Sequence, residues 1–127
     1  MMISTERPSE LDGKIEKILE LKRLKKYKDA LGEAEELSVL YPEIGSVYGL
    51  AASIYFELDR FEEAVKKYRK ATEISPKSEM ASLGLFHSLW QLDRGDEAFE
   101  EMKRYMSIAE SSEYNELLVN FSNLKKD

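Results

Sequence analysis

Gly45 to Ser78 reads GSVYGLAASIYFELDRFEEAVKKYRKATEISPKS, and this stretch decides the fold. Its Ala64 has counterparts at Ala30 and Ala98, 34 residues to either side. Its Pro76 follows Pro42 by the same step, and Phe61 follows Tyr27, with Gly95 in third place. A fixed step of this length marks a solenoid of stacked helical hairpins.

The periodicity within each step supports this reading. Leu11, Ile15, Ile18, Leu21 and Leu24 follow helical spacing, with Ser9 as an N-cap and Asp12 three positions on. Ala30, Ala34 and Leu37 share a face of a second helix that must stop before Pro42. The next pair is expected from about Gly45 to Glu57 and from Phe61 to Ile74. The third is expected from about Glu79 to Gln91 and from Asp96 to Ile108. A final amphipathic helix, 112–124, follows Ser111-Ser112, with Tyr114, Leu117, Leu118, Phe121 and Leu124 as its stripe. Lys125 and Lys126 at its end would complement the helix dipole. Residues 1–8 read as a flexible tail and 9–127 as one domain.

On these residues the chain resembles the tetratricopeptide repeat (TPR) family. The middle repeat carries the pattern at Tyr48, Ala51-Ala52, Tyr55, Phe61, Ala64, Tyr68, Ala71 and Pro76. The third, 79–110, keeps Leu85, Leu89, Ala98 and Met102, and departs at Phe86, Gly95, Tyr105 and Glu110. The first, 11–44, keeps Leu21, Tyr27, Ala30, Leu37 and Pro42, but places Lys17 where an apolar residue is usual. Edge repeats drift because one face lacks a repeat neighbour. The resemblance implies an all-α, right-handed superhelical solenoid of three helix-turn-helix hairpins with a C-terminal capping helix.

It also implies a concave groove lined by the first helix of each hairpin. The positions are Asp12, Ile15, Leu19, Lys22 and Arg23, then Ser46, Gly49, Leu50, Ser53, Phe56 and Glu57, then Met80, Leu83, Gly84, His87, Trp90 and Gln91. Helical spacing puts each set on one face. The clamp by which some family members grip the acidic C-termini of heat-shock chaperones is missing, because Ile15, Leu19, Leu50, Met80 and Gly84 occupy its positions. Phe56, Met80, Leu83 and Trp90 form an apolar patch beside His87, suited to an amphipathic helix or an extended apolar peptide. Trp90 and Phe56 also stand where an aromatic can serve packing alone.

Composition narrows the rest. Net charge is −6, which disfavours nucleic acid backbones and suits a basic protein partner. The basic run Lys22 to Lys28 is followed by Glu33, Glu35 and Glu36, and reads as a solvated turn. No apolar stretch approaches the roughly 20 residues that span a bilayer, and the start lacks the apolar run of a secretory signal. With no cysteine, the expected compartment is the cytoplasm.

His87 is the sole histidine, so no metal-ligand set and no cofactor are expected, and the six glycines form no phosphate loop. Ser53 and a Glu57–His87 pair are the only groove groups with any catalytic chemistry to offer, and no catalytic site is read from them. The expected function is a non-catalytic protein-interaction module. Two narrower forms resemble it in size: a chaperone of type III secretion translocators, favoured by the apolar groove, and an immunity protein against a basic toxin, favoured by the charge. A self-assembling structural role, with the patch paired in a homodimer, is a further alternative.

Overall fold

The computed structural model describes residues 9–124, so the terminal tail and the helix-end lysines read from the sequence lie outside the described residues. Among the described residues seven helices follow one another: α1 (Ser9–Arg23), α2 (Tyr27–Leu40), α3 (Gly45–Glu57), α4 (Phe61–Ile74), α5 (Glu79–Gln91), α6 (Gly95–Met106) and α7 (Ser112–Leu124). No strand occurs among the described residues. The first six helices form three hairpins, and α3 also packs on α5.

Small residues bring the helices of a hairpin together. Ala30, Ala64 and Ala98 are fully buried, each at the same phase of its hairpin. A bulkier side chain there would overpack the crossing, at about 1–3 kcal/mol.

The core has two parts that meet across α3. Val47, Ala51 and Ile54 pack with Leu11, Ile18, Ala30, Ala34 and Leu37 of the first hairpin. Ala52 and Tyr55, on the other side of the same helix, pack with α4, α5 and α6. Each hairpin buries its apolar surface against its sequence neighbours, which is how a solenoid is held together. Lys17, out of pattern for a repeat, pairs with Glu33 of α2 at 3.1 Å.

The turn inside each hairpin is the same. Lys25, Asp59 and Asp93 have φ near +60°, and they stand 34 residues apart. In each turn the next amide donates back to a carbonyl five residues earlier: Lys26 to Leu21, Arg60 to Tyr55 and Arg94 to Leu89, all at 2.9 Å. This is the Schellman arrangement, normally ended by glycine. Its usual apolar contact is replaced in the second hairpin by the Arg60 guanidinium, 4.9 Å above the Tyr55 ring.

Two helix starts, those of α5 and α7, carry side-chain caps. The Ala81 amide donates to Ser78 Oγ at 3.2 Å at the head of α5, and the Tyr114 amide to Ser111 Oγ at 3.1 Å at the head of α7. Three boundaries differ from expectation, and the smallest difference is that α6 opens at Gly95, not Asp96. Ser9 is already helical rather than a cap. And α6 ends at Met106, not Ile108, because the chain tightens there: the Ile108 amide turns to Tyr105 O at 3.0 Å, and Ser107 Oγ donates to Arg104 O at 2.6 Å.

Candidate protein-binding groove

The groove candidates lie on α1, α3 and α5, and the structure treats them unequally. Leu19 on α1 is 48% exposed, Met80 on α5 is 79% exposed and Trp90 is 44% exposed. Phe56 is half-buried, its ring edge-on to Phe61 at 5.1 Å. Ile15 and Leu50 are half-buried, while Asp12, Arg23, Ser46, Glu57, His87 and Gln91 are exposed.

Two candidates from different hairpins meet. Lys22 Nζ donates to Ser53 Oγ at 3.1 Å, and Ser53 Oγ donates to Leu50 O at 2.7 Å. This ties the floor of the first hairpin to that of the second. It also occupies the Ser53 hydroxyl twice over, which leaves it poorly placed as a nucleophile. Arg23 turns back onto Glu20 of its own helix at 2.6 Å.

Leu83 requires a correction. It is only 9% exposed and belongs to the core around α4, α5 and α6, so it offers a partner almost no surface. Its spacing matches that of Met80 and His87, but neighbouring side chains cover it and leave Met80 bare. Trp90 is shared between roles. Its ring stacks 6.0 Å from Phe86, lies 5.3 Å from Phe121, and passes over Gly95, where a Cβ would sit 3.4 Å from it. In the second hairpin two rings, Phe56 and Phe61, fill the corresponding place. Here one larger ring and a glycine do so.

Gly84 admits a ring from the layer behind. A Cβ there would fall within 2.7 Å of three atoms of the Tyr68 ring. Tyr68, from α4, therefore reaches the α5 floor, although its own helix faces the other layer. Burial, helped by the Glu57 carboxylate, pushes its phenol up to about 12. Nothing in the spacing of Tyr68 marks this, but the adjacent-repeat glycine is the signal that makes room for it. Between α3 and α5 a cleft of about 190 Å³ is lined by Gly45, Ser46, Gly49, Met80 and neighbours from α4.

Desolvation lowers the pKa of His87, whose ring stands edge-on to Phe86 at 5.4 Å, and the charge acting against this is that of Glu113, not Glu57. The Glu57–His87 pair considered from sequence is thus not formed. Among the described residues no group of three or more His, Asp or Glu could hold a metal ion, and no helix is long and apolar enough to cross a membrane.

Residues 45–78 match the tetratricopeptide repeat family model, the same segment that spans α3, α4 and the loop after it. The chain carries a tetratricopeptide repeat. Its TPR segment sits centrally in a TPR-like helical solenoid. A curated relative, small glutamine-rich tetratricopeptide repeat-containing protein 2 of Mycosarcoma maydis, is 33% identical over 63 residues, which is 50% of this chain and 18% of that protein. The chain matches less than a fifth of that relative's length. Among solved structures, the type III secretion translocator chaperone SycD of Yersinia enterocolitica, in an alternative dimer, aligns with a TM-score of 0.77 over 94% of this chain and 92% of its own, at 17% identity. MamA of Desulfovibrio magneticus RS-1, residue 41 to the end, aligns with a TM-score of 0.72 over 80% and 58%, at 22% identity. At such identities the likeness is one of fold.

Proposed function

We propose that this chain is a non-catalytic protein-interaction module whose α1–α3–α5 face receives a helix or an extended peptide of a protein partner. The observation that carries the reading is the exposure of Leu19, Met80 and Trp90 on helices that line one face, with Phe56 half-open between them. Large apolar side chains left in water on the first helices of the hairpins suit an apolar ligand segment. The exposed Glu57 carboxylate supplies a charge beside them that would set its direction.

Of the narrower readings, a chaperone that holds an apolar cargo segment is favoured by those same exposed residues, and one structural neighbour, SycD, is a type III secretion translocator chaperone. An immunity role rests on the net charge of −6 alone.

Trp90 is a poor probe because its ring also packs on Phe86 and Phe121. Leu19 and Met80 are cleaner. The test is a pull-down comparing the native chain with a Leu19→Asp, Met80→Asp double variant, with bound proteins identified by mass spectrometry. The reading expects a partner to be lost with the melting temperature unchanged. Identical bound proteins on both would sink it.

A further inference from the structure

The third hairpin ends in large rings where the hairpins before it end in smaller side chains. Phe86 stands where the 34-residue step puts Ala52 and Ile18. Phe99 replaces Val65 and Leu31, and Tyr105 replaces Ala71 and Leu37. These rings receive α7, and they hold it by their edges and faces: Phe86 to Tyr114 at 5.7 Å, Tyr105 to Tyr114 at 5.8 Å, Phe99 to Phe121 at 5.1 Å. A buried hydrogen bond between Ser82 Oγ and the Tyr114 hydroxyl, 2.7 Å, is added to them.

The rings also keep the backbones apart. Every earlier pair of consecutive helices makes an extended close backbone contact, and α6 with α7 does not. The linker into α7, residues 107–111, is one residue longer than the linkers at 41–44 and 75–78. Within α7 only Tyr114 is buried, while Leu118, Val119 and Leu124 remain exposed. An apolar cleft of about 340 Å³ stays open beside it, lined by Phe99, Leu118, Phe121 and Leu124. A helix of 13 residues is marginal in water on its own, so α7 depends on this wall for its form.

We propose that α7 is exchangeable between copies: it leaves the aromatic wall of its own chain and lies on the same wall of a second copy, forming a two-fold dimer. The occupant that fits the wall is the apolar face of an α7 helix. It is Tyr114, Leu117 and Phe121 at helical spacing, with a hydroxyl placed for Ser82, and a second copy carries the same set. Exchange remakes identical contacts, so its free energy is set by the linker and by whatever new surface is covered. Leu118, Val119 and Leu124, left in water by the single chain, are the surface that an exchanged pair has to cover.

Three measurements test this on the full chain. Light scattering should show the mass rising from 14.7 kDa towards twice that value as concentration increases. Hydrogen exchange should open the α7 amides well before those of α3 and α4. A fluorescent peptide of residues 111–127 should bind a full chain carrying Phe121→Ala about tenfold or more tighter than the native chain, because weakened docking of its own helix frees the wall. A constant single-chain mass overturns the proposal, even if the peptide binds. So does failure of the peptide to bind a Phe121→Ala chain that circular dichroism shows folded. Should that variant not fold, α7 amides exchanging in step with α3 in the native chain overturn it as well.

Discussion

The Tyr68 ring fills the space that a side chain at Gly84 would need. Two hairpins are thereby locked through the absence of an atom. Gly84→Ala should destabilise the fold by about 1–3 kcal/mol, the usual cost of overpacking. Thermal melting of Gly84→Ala, Tyr68→Leu and the double variant would show it. The double variant should lose less than the sum of the singles, since contacting sites couple. Additive losses would mean that the ring and the glycine do not share this space.

Alkaline pH should unfold the protein through its buried phenols. A tyrosine whose pKa is raised in the fold binds its proton more tightly there than in the unfolded chain. Its contribution is therefore whole below about pH 10 and is lost as pH rises towards about 12, the value to which Tyr68 is pushed. Tyr114, raised chiefly by burial, acts in the same direction. The melting temperature should fall across that window, and Tyr68→Phe should shallow the fall while changing little at pH 7. An unchanged slope in that variant would place the alkaline sensitivity elsewhere.

Lys25 has φ of 60°, in the region that glycine occupies without strain and that aspartate tolerates better than lysine. Lys25→Gly should therefore stabilise the chain, by up to about 1 kcal/mol. The gain should be smaller at Asp59 and Asp93, which share the conformation. Urea midpoints for the three single variants check the order.

Ser111→Ala removes the hydroxyl that caps α7 and should cost about 1 kcal/mol. The loss should appear in hydrogen exchange first at Tyr114 and its neighbours. Truncation before Tyr114 should have a larger effect, because it uncovers Phe86 and lowers the melting temperature of the whole chain. A truncated chain that melts with the native one would mean that α7 does not cap the stack.

The parts of the fold that depend on a single side chain's size were legible in the sequence. Ala64 has to be small at a crossing, and Pro42 and Pro76 have to follow a helix, so hairpin phase could be read directly. Features set by two residues at once were not. The left-handed turns are filled by Lys25, Asp59 and Asp93 instead of glycine, so nothing in the composition announces them. Leu83 has the spacing of a groove residue, but its exposure depends on what covers it. Trp90 packs as it does because Gly95 has no side chain and α7 supplies Phe121, and neither condition can be seen from Trp90 itself. The end of α6 was misplaced because its stop is a serine-assisted tightening rather than a proline.

The second hairpin is entered and left by linkers of equal length, residues 41–44 and 75–78, which makes its two ends matched joints. A further copy of residues 45–78 spliced in after Ser78 would bring its Leu50 to the place of Gly84, against the Tyr68 ring, so the added step needs a glycine at that position of the copy. Such a chain would gain one step of length, with its two end surfaces untouched.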